Sequence, residues 1–159
     1  MEIAESLIPY TSMILALVLG MLLGIERTFA GKTAGLRTYG LVSMGSALFI
    51  VVTNIVLEDF IGLTSFDPTR VAAGIITGIG FIGAGLILFR EHKLRGLTTA
   101  AGLWVACGIG IACGFGLYMI ATFATFLTLF AFTALWFVED RVRHLKQKSN
   151  LAHGSEDIQ

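Results

Sequence analysis

Long apolar runs alternate along this chain with short polar and charged breaks. The runs cover about residues 7–25, 38–57, 70–89, 98–115 and 117–138. Each is close to the roughly 20 helical residues that cross a hydrocarbon core of about 30 Å. No Asp, Glu, Lys or Arg lies between Arg95 and Glu139, so charge does not separate the last two runs. A single helix over that stretch would be more than about 60 Å long at a rise of about 1.5 Å per residue, too long for a bilayer. The chain is therefore expected to reverse at Gly114 and Gly116, which flank Phe115 and loosen the backbone. Tyr118 would then sit at the membrane interface. The fifth run is rich in Phe and Thr and has weaker helix propensity, but lipid requires every backbone polar group to find an internal partner. Continuous runs without the two-residue alternation of barrel strands predict an all-α membrane protein with five transmembrane helices.

Charge orients those helices. The breaks on one side hold Arg27, Lys32 and Arg37, then Arg90, Lys93 and Arg95, then the tail residues Arg141, Arg143, Lys146 and Lys148. The other side holds Arg70 against Glu58, Asp59 and Asp67. Ten of the eleven basic residues thus share a side when there are five spans. The positive-inside rule makes that side cytoplasmic, with the N terminus outside in the periplasm and the C terminus inside. Residues 1–138 form the expected transmembrane domain. Residues 139–159 form a cytoplasmic basic tail, suited to anionic lipid near the membrane and expected to be unstructured from about residue 149.

Composition agrees. Hydrophobic residues make up 55% and charged residues 14% of the 159 residues, against roughly 25% charged in soluble domains. The formal net charge is zero, which argues against nucleic acid as a partner and leaves the lipid bilayer as the surrounding medium. Glu2 and Glu5 replace the basic start of a secretory leader, so the first run reads as a span. Cys107 and Cys113 would lie about 9 Å apart along a helix, too far for a disulfide, and read as small packing residues. His92, His144 and His153 have no metal-ligand spacing, and no nucleophile–base pair is present. No metal, no cofactor and no enzymatic activity is expected.

Small residues recur four apart at Gly20 and Gly24, Gly74 and Gly78, and Gly110 and Gly114. This spacing lets helix backbones approach, either within one chain or between copies in a homo-oligomer. Residues 78–85 satisfy a G-x-G-x-x-G pattern, but they lie inside an apolar run, without the strand, helix start and acidic partner that a dinucleotide site needs. Gly78, Gly80, Gly83 and Gly85 are expected to line a helix contact, with a locally weakened, water-accessible helix as the alternative.

Glu26 ends the first run beside Arg27. Neighbouring positions on a helix diverge, so Glu26 is expected to pair with Arg37 or a basic residue of the third break. A functional site is the alternative, since ionisable groups near a membrane core are functional candidates. Lys32 orients the helices. Asp67 suits a helix cap with Pro68 in the first turn, and Arg70 could be neutralised by Asp67 three residues away. Thr98 and Thr99 are expected to cap the fourth helix. Gly35-Leu36-Arg37-Thr38 and Gly96-Leu97-Thr98-Thr99 look alike and enter spans two and four from the same side, which suggests two parallel helical hairpins.

Three longer stretches carry a family resemblance. The segments from Gly24 to Arg27 and from Gly31 to Thr38 resemble the first signature of the MgtC/SapB family. The segment from Asp67 to Gly85 is similar to its second, and that from Gly96 to Trp104 to its third. The resemblance covers roughly residues 7–138 in family order. It implies a bacterial inner-membrane protein with five helices, associated with growth under magnesium limitation, survival in macrophages and virulence. It implies action by binding a membrane complex such as the F-type ATP synthase; direct magnesium transport is the alternative. Many members carry a C-terminal ACT-like domain, which a chain ending about twenty residues after its last span is expected to lack. The family's charged motif positions fall on Glu26, Arg27, Lys32, Arg37, Asp67 and Arg70.

Overall fold

The computed structural model describes the backbone of residues 2–58, 67–90 and 93–153, and the side chains of residues 7–57, 67–87, 95–134 and Arg141. Five helices follow one another: α1 (Glu2–Phe29), α2 (Leu36–Glu58), α3 (Thr69–Leu86), α4 (Leu97–Gly114) and α5 (Tyr118–His153). A hairpin of two short strands, β1 (Leu88–Arg90) and β2 (Lys93–Arg95), joins α3 to α4. The fold is all-helical but for this hairpin, which occupies the end of the expected third span. Four stretches, Leu7–Phe29, Leu36–Leu57, Thr69–Leu86 and Leu97–Gly114, are long and apolar enough to cross a membrane. The described apolar part of α5, Tyr118–Ala134, is shorter. Helix α5 contains no Gly or Pro and runs on through the basic tail to His153, past the residue 149 at which order was expected to end. Residues 154–159 lie outside the described residues, as do Asp59 and the side chain of Glu58.

Contacts divide the chain into Met1–Thr128 and Leu129–Gln159. In the second unit the Thr133 hydroxyl donates to the Leu129 carbonyl of its own helix. In the first, α1, α2 and α4 form the core around Leu23, Tyr39, Ile50, Leu103, Ile109 and Cys113, all essentially inaccessible. Helix α3 buries only Ile79. Large apolar side chains point outward, with Phe81 80% and Met119 86% exposed. Such a surface needs an apolar solvent. Hydroxyls follow the same logic: Thr28, Ser46, Thr53, Thr77 and Thr125 each donate to the carbonyl four residues back. The polar atom is satisfied inside its own helix, where no water is available.

The reversals are built by glycine. In the α1–α2 connector the Gly31 N–H donates to Thr28 O and the Lys32 N–H to Arg27 O. With Gly31 at φ 64°, this is the paired helix-ending arrangement that requires a left-handed residue. The α4–α5 reversal repeats it: Gly116 (φ 75°) bonds to Cys113 O and Leu117 to Ala112 O. Only Gly116 of the two expected turn glycines turns the chain. Gly114 remains helical, and a Cβ there would lie 2.6 Å from Ile50 Cβ.

Helices α2 and α4 run parallel. Tyr39 reaches Thr99, Ser46 reaches Cys107 and Asn54 reaches Gly114, in increasing order along both helices. The expected pairing of parallel hairpins therefore has a structural counterpart. The α1–α2 connector and the β1–β2 hairpin lie at one end, where the chain carries Arg27, Lys32, Arg37, Arg90, Lys93 and Arg95. Asp67 and the α4–α5 reversal lie at the other, where Ser12 and Tyr118 share a hydrogen bond of 2.7 Å.

Candidate functional site

The charged residues nearest the core stand where α1 ends. Glu26 pairs with Arg27, its immediate neighbour, through Oε2 and Nε. This replaces the expected pairing with Arg37, which is exposed. The reason is burial: the Arg27 side chain is 4% accessible and Glu26 20%, and a buried guanidinium needs an acid close by more than it needs ideal helix geometry. The long, flexible arginine stem folds back to supply that contact. Among the described residues this is the one ion pair. Lys32 is exposed on the connector.

The pair adjoins a junction of three helices. Tyr39, fully buried in α2, lies within electrostatic reach of both Arg27 and Glu26. Its hydroxyl donates to Thr99 O in the first turn of α4 at 3.3 Å. Thr28 Oγ1 accepts the Leu36 N–H at 3.2 Å and so satisfies an open donor at the start of α2. Thr98 and Thr99 lie inside the first turn of α4. They do not cap it: Gly96, at φ 91°, precedes the helix without a side-chain cap bond. Thr98 is exposed and Thr99 buried. Tyr39 and Thr28 were not among the residues expected from sequence. A lone polar residue at the start of an apolar run was the signal available for Tyr39.

Glycines close this junction. A Cβ on Gly20 would lie 2.6 Å from Tyr39 O, and one on Gly24 2.6 Å from Leu36 Cα. On Gly110 it would collide with the Ser43 carbonyl. Ser43 itself is completely buried, and its hydroxyl has no hydrogen-bond partner among the described residues.

The α3 glycines behave differently. A Cβ on Gly74, Gly78, Gly80 or Gly85 would meet nothing within 4 Å, and one on Gly83 would make ordinary contact with Ala100 at 3.7 Å. They do not close helix contacts inside this chain as expected, because α3 touches the bundle along the edge that carries Ile79. On one flank of that edge Ala73, Thr77, Gly80 and Ala84 form an exposed small-residue row at i, i+4, i+7 and i+11. On the other flank α2, α3 and α4 enclose a groove of about 730 Å³.

Asp67 and Arg70 stand apart from the junction, across the 18 residues of α3, a length of about 27 Å. Asp67 Oδ1 accepts the Thr69 N–H at 2.9 Å and the Thr69 hydroxyl at 2.7 Å, and so caps α3. These bonds hold its carboxyl below the ordinary value of 3.8, with a smaller contribution from the Arg70 charge. No salt bridge joins Asp67 to Arg70; the carboxylate is engaged by Thr69 instead. The structure thus gathers Glu26, Arg27 and Thr99 at one end and leaves Asp67 and Arg70 at the other. Among the described residues no three His, Cys, Asp or Glu residues converge.

Outward-facing apolar helices around a small polar junction define a multi-pass α-helical membrane protein. The chain belongs to the MgtC family, whose sequence model matches residues 13–141. It is similar to YhiD of Escherichia coli K12, named as a candidate magnesium transporter, at 45% identity over 74% of this chain and 55% of that protein. It is also similar to protein MgtC of Brucella abortus (strain 2308), at 49% identity over 54% of this chain and 34% of that protein. For protein MgtC of Salmonella typhimurium the identity is 41% over 64% of this chain and 41% of that protein. The chain spans about half the length of YhiD, or less in the other two cases. No solved structure matches it.

Proposed function

We propose that this chain is a non-enzymatic regulatory protein of the bacterial inner membrane, serving adaptation to magnesium limitation by binding another membrane complex. Its basic connectors face the cytoplasm and its N terminus the periplasm. The observation that carries this reading is the exposed row Ala73, Thr77, Gly80 and Ala84 on a helix that buries only Ile79. Rows of small residues let a second helix approach closely in lipid, where packing rather than hydrophobicity drives association. The relatives' names supply the link to magnesium, and the family resemblance points to the F-type ATP synthase as the complex.

Co-reconstitution tests this. Liposomes containing F-type ATP synthase should show slower ATP-driven proton pumping when the chain is present. Unchanged pumping at saturating chain would overturn the proposal.

The name of YhiD favours a second reading, magnesium transport. The groove beside α3 is lined by apolar side chains with Ser46 and Cys107, whereas magnesium takes carboxylate and water oxygens. Liposomes holding the purified chain are therefore expected to pass no magnesium, with or without a membrane potential. Potential-dependent flux would reinstate transport.

A further inference from the structure

The groove between α2, α3 and α4 has the shape and chemistry of a lipid site. Its walls are Leu41, Gly45 and Phe49 from α2, facing Gly74, Gly78 and Ile82 from α3. The volume of about 730 Å³ lies within the roughly 300–1,000 Å³ of small-ligand sites. The groove stays open because glycine stands at Gly45, Gly74 and Gly78, where a Cβ would meet nothing within 4 Å. The polar Ser46 in its wall is already engaged, its hydroxyl donating to Val42 O at 2.8 Å and its oxygen lying 3.3 Å from the Cys107 thiol, which can donate to it. What remains to fill is hydrocarbon-like.

Leu41 stands at the rim of the groove, and Arg37 precedes it on α2 by one helical turn. Arg37 is exposed, and side chains on a helix tilt toward its N terminus, which carries this guanidinium to the basic end of the bundle. The twelve residues from Arg37 to Phe49 span about 18 Å, close to one leaflet of a hydrocarbon core of about 30 Å. A cation at headgroup depth above an apolar slot one leaflet deep complements a lipid with a negative headgroup, as basic pockets between membrane helices do. We infer that this groove binds one acyl chain of an anionic phospholipid whose phosphate rests on Arg37. The lipid occupies the flank of α3 opposite the small-residue row, so the site stands independently of the proposed partner.

The test is native mass spectrometry of the full chain in mild detergent, titrated with phosphatidylglycerol or with phosphatidylcholine. One phosphatidylglycerol should be retained per chain, in preference to phosphatidylcholine. Arg37→Gln should weaken phosphatidylglycerol about fivefold, the effect of one juxtamembrane cation, while Arg37→Lys keeps it and Lys32→Gln changes nothing. Gly78→Leu should abolish retention of both lipids. Gly45→Leu, which fills the groove from the opposite wall, should do the same, so that misfolding of one variant cannot imitate the result. Equal retention of the two lipids, unchanged binding in Arg37→Gln, undiminished retention in both leucine variants, or a second copy of the chain in place of lipid would overturn the assignment.

Discussion

Two sets of glycines with the same sequence spacing do opposite things in this protein. Gly110 and Gly114 in α4, with Gly20 and Gly24 in α1, are pressed against neighbouring backbone so closely that a methyl group would collide. Gly74 and Gly78 in α3 face open space. The first set seals α1, α2 and α4 around a buried arginine, held by the half-buried Glu26, and a buried tyrosine. The second leaves α3 smooth and uncovered. A four-residue glycine spacing therefore says that a helix face is flat. It does not say whether anything inside the chain lies against it.

The contrast can be broken from its sealed side first. Arg27→Ala should cost about 3 kcal/mol, since it strands Glu26 near a low-dielectric core. Reversible unfolding in mixed micelles would measure this, and a loss below ~0.5 kcal/mol would show that the junction is not under tension. Gly110→Ala should cost about 1–3 kcal/mol by forcing α2 and α4 apart. Gly78→Ala, by comparison, should be neutral or stabilise by up to about 1 kcal/mol through helix propensity. Equal effects at both glycines would erase the distinction between the helices. Tyr39→Phe should cost about 1 kcal/mol for its hydrogen bond to Thr99, read in the same unfolding assay.

The smallest effect expected lies at the far end of α3. Asp67 is held below its ordinary 3.8 by the hydroxyl and amide of Thr69. Because the folded value is depressed, the cap is fully in place above the ordinary value and is lost as pH falls through the lower folded one. Amide exchange at Thr69 should rise in that acidic window and stay flat above it. In Asp67→Asn the pH dependence should vanish.

Much of the fold was legible in the sequence, because lipid leaves a helix little choice. The apolar runs at about 38–57 and 98–115 locate α2 (Leu36–Glu58) and α4 (Leu97–Gly114) to within about two residues. The third run was less transparent. Leu88 and Phe89 are apolar enough to prolong a span, yet the chain leaves the helix at Leu86 and pairs Leu88 with Arg95. Hydropathy does not distinguish a helical from a strand-paired leucine. The site was only partly readable. Glu26 and Arg27 stood out as charges beside a membrane core, but their mutual pairing depends on burial, which sequence spacing does not encode. Thr98 and Thr99 fit a capping pattern, whereas Gly96 at φ 91° makes the turn into α4 and Thr99 serves through its backbone carbonyl. Tyr39 and Thr28 act across helices, on partners 60 and 8 residues away in sequence.

The central claim is that the exposed small-residue row on α3 is where another membrane complex binds. Its most direct test compares the unmodified chain with Gly80→Leu, each co-reconstituted with F-type ATP synthase, by the rate of ATP-driven proton pumping. Gly80 meets nothing within 4 Å, so leucine there should leave the bundle intact while blocking close approach of a second helix. The account predicts that the unmodified chain slows pumping and Gly80→Leu restores it. Slowing by Gly80→Leu as strong as by the unmodified chain would contradict it.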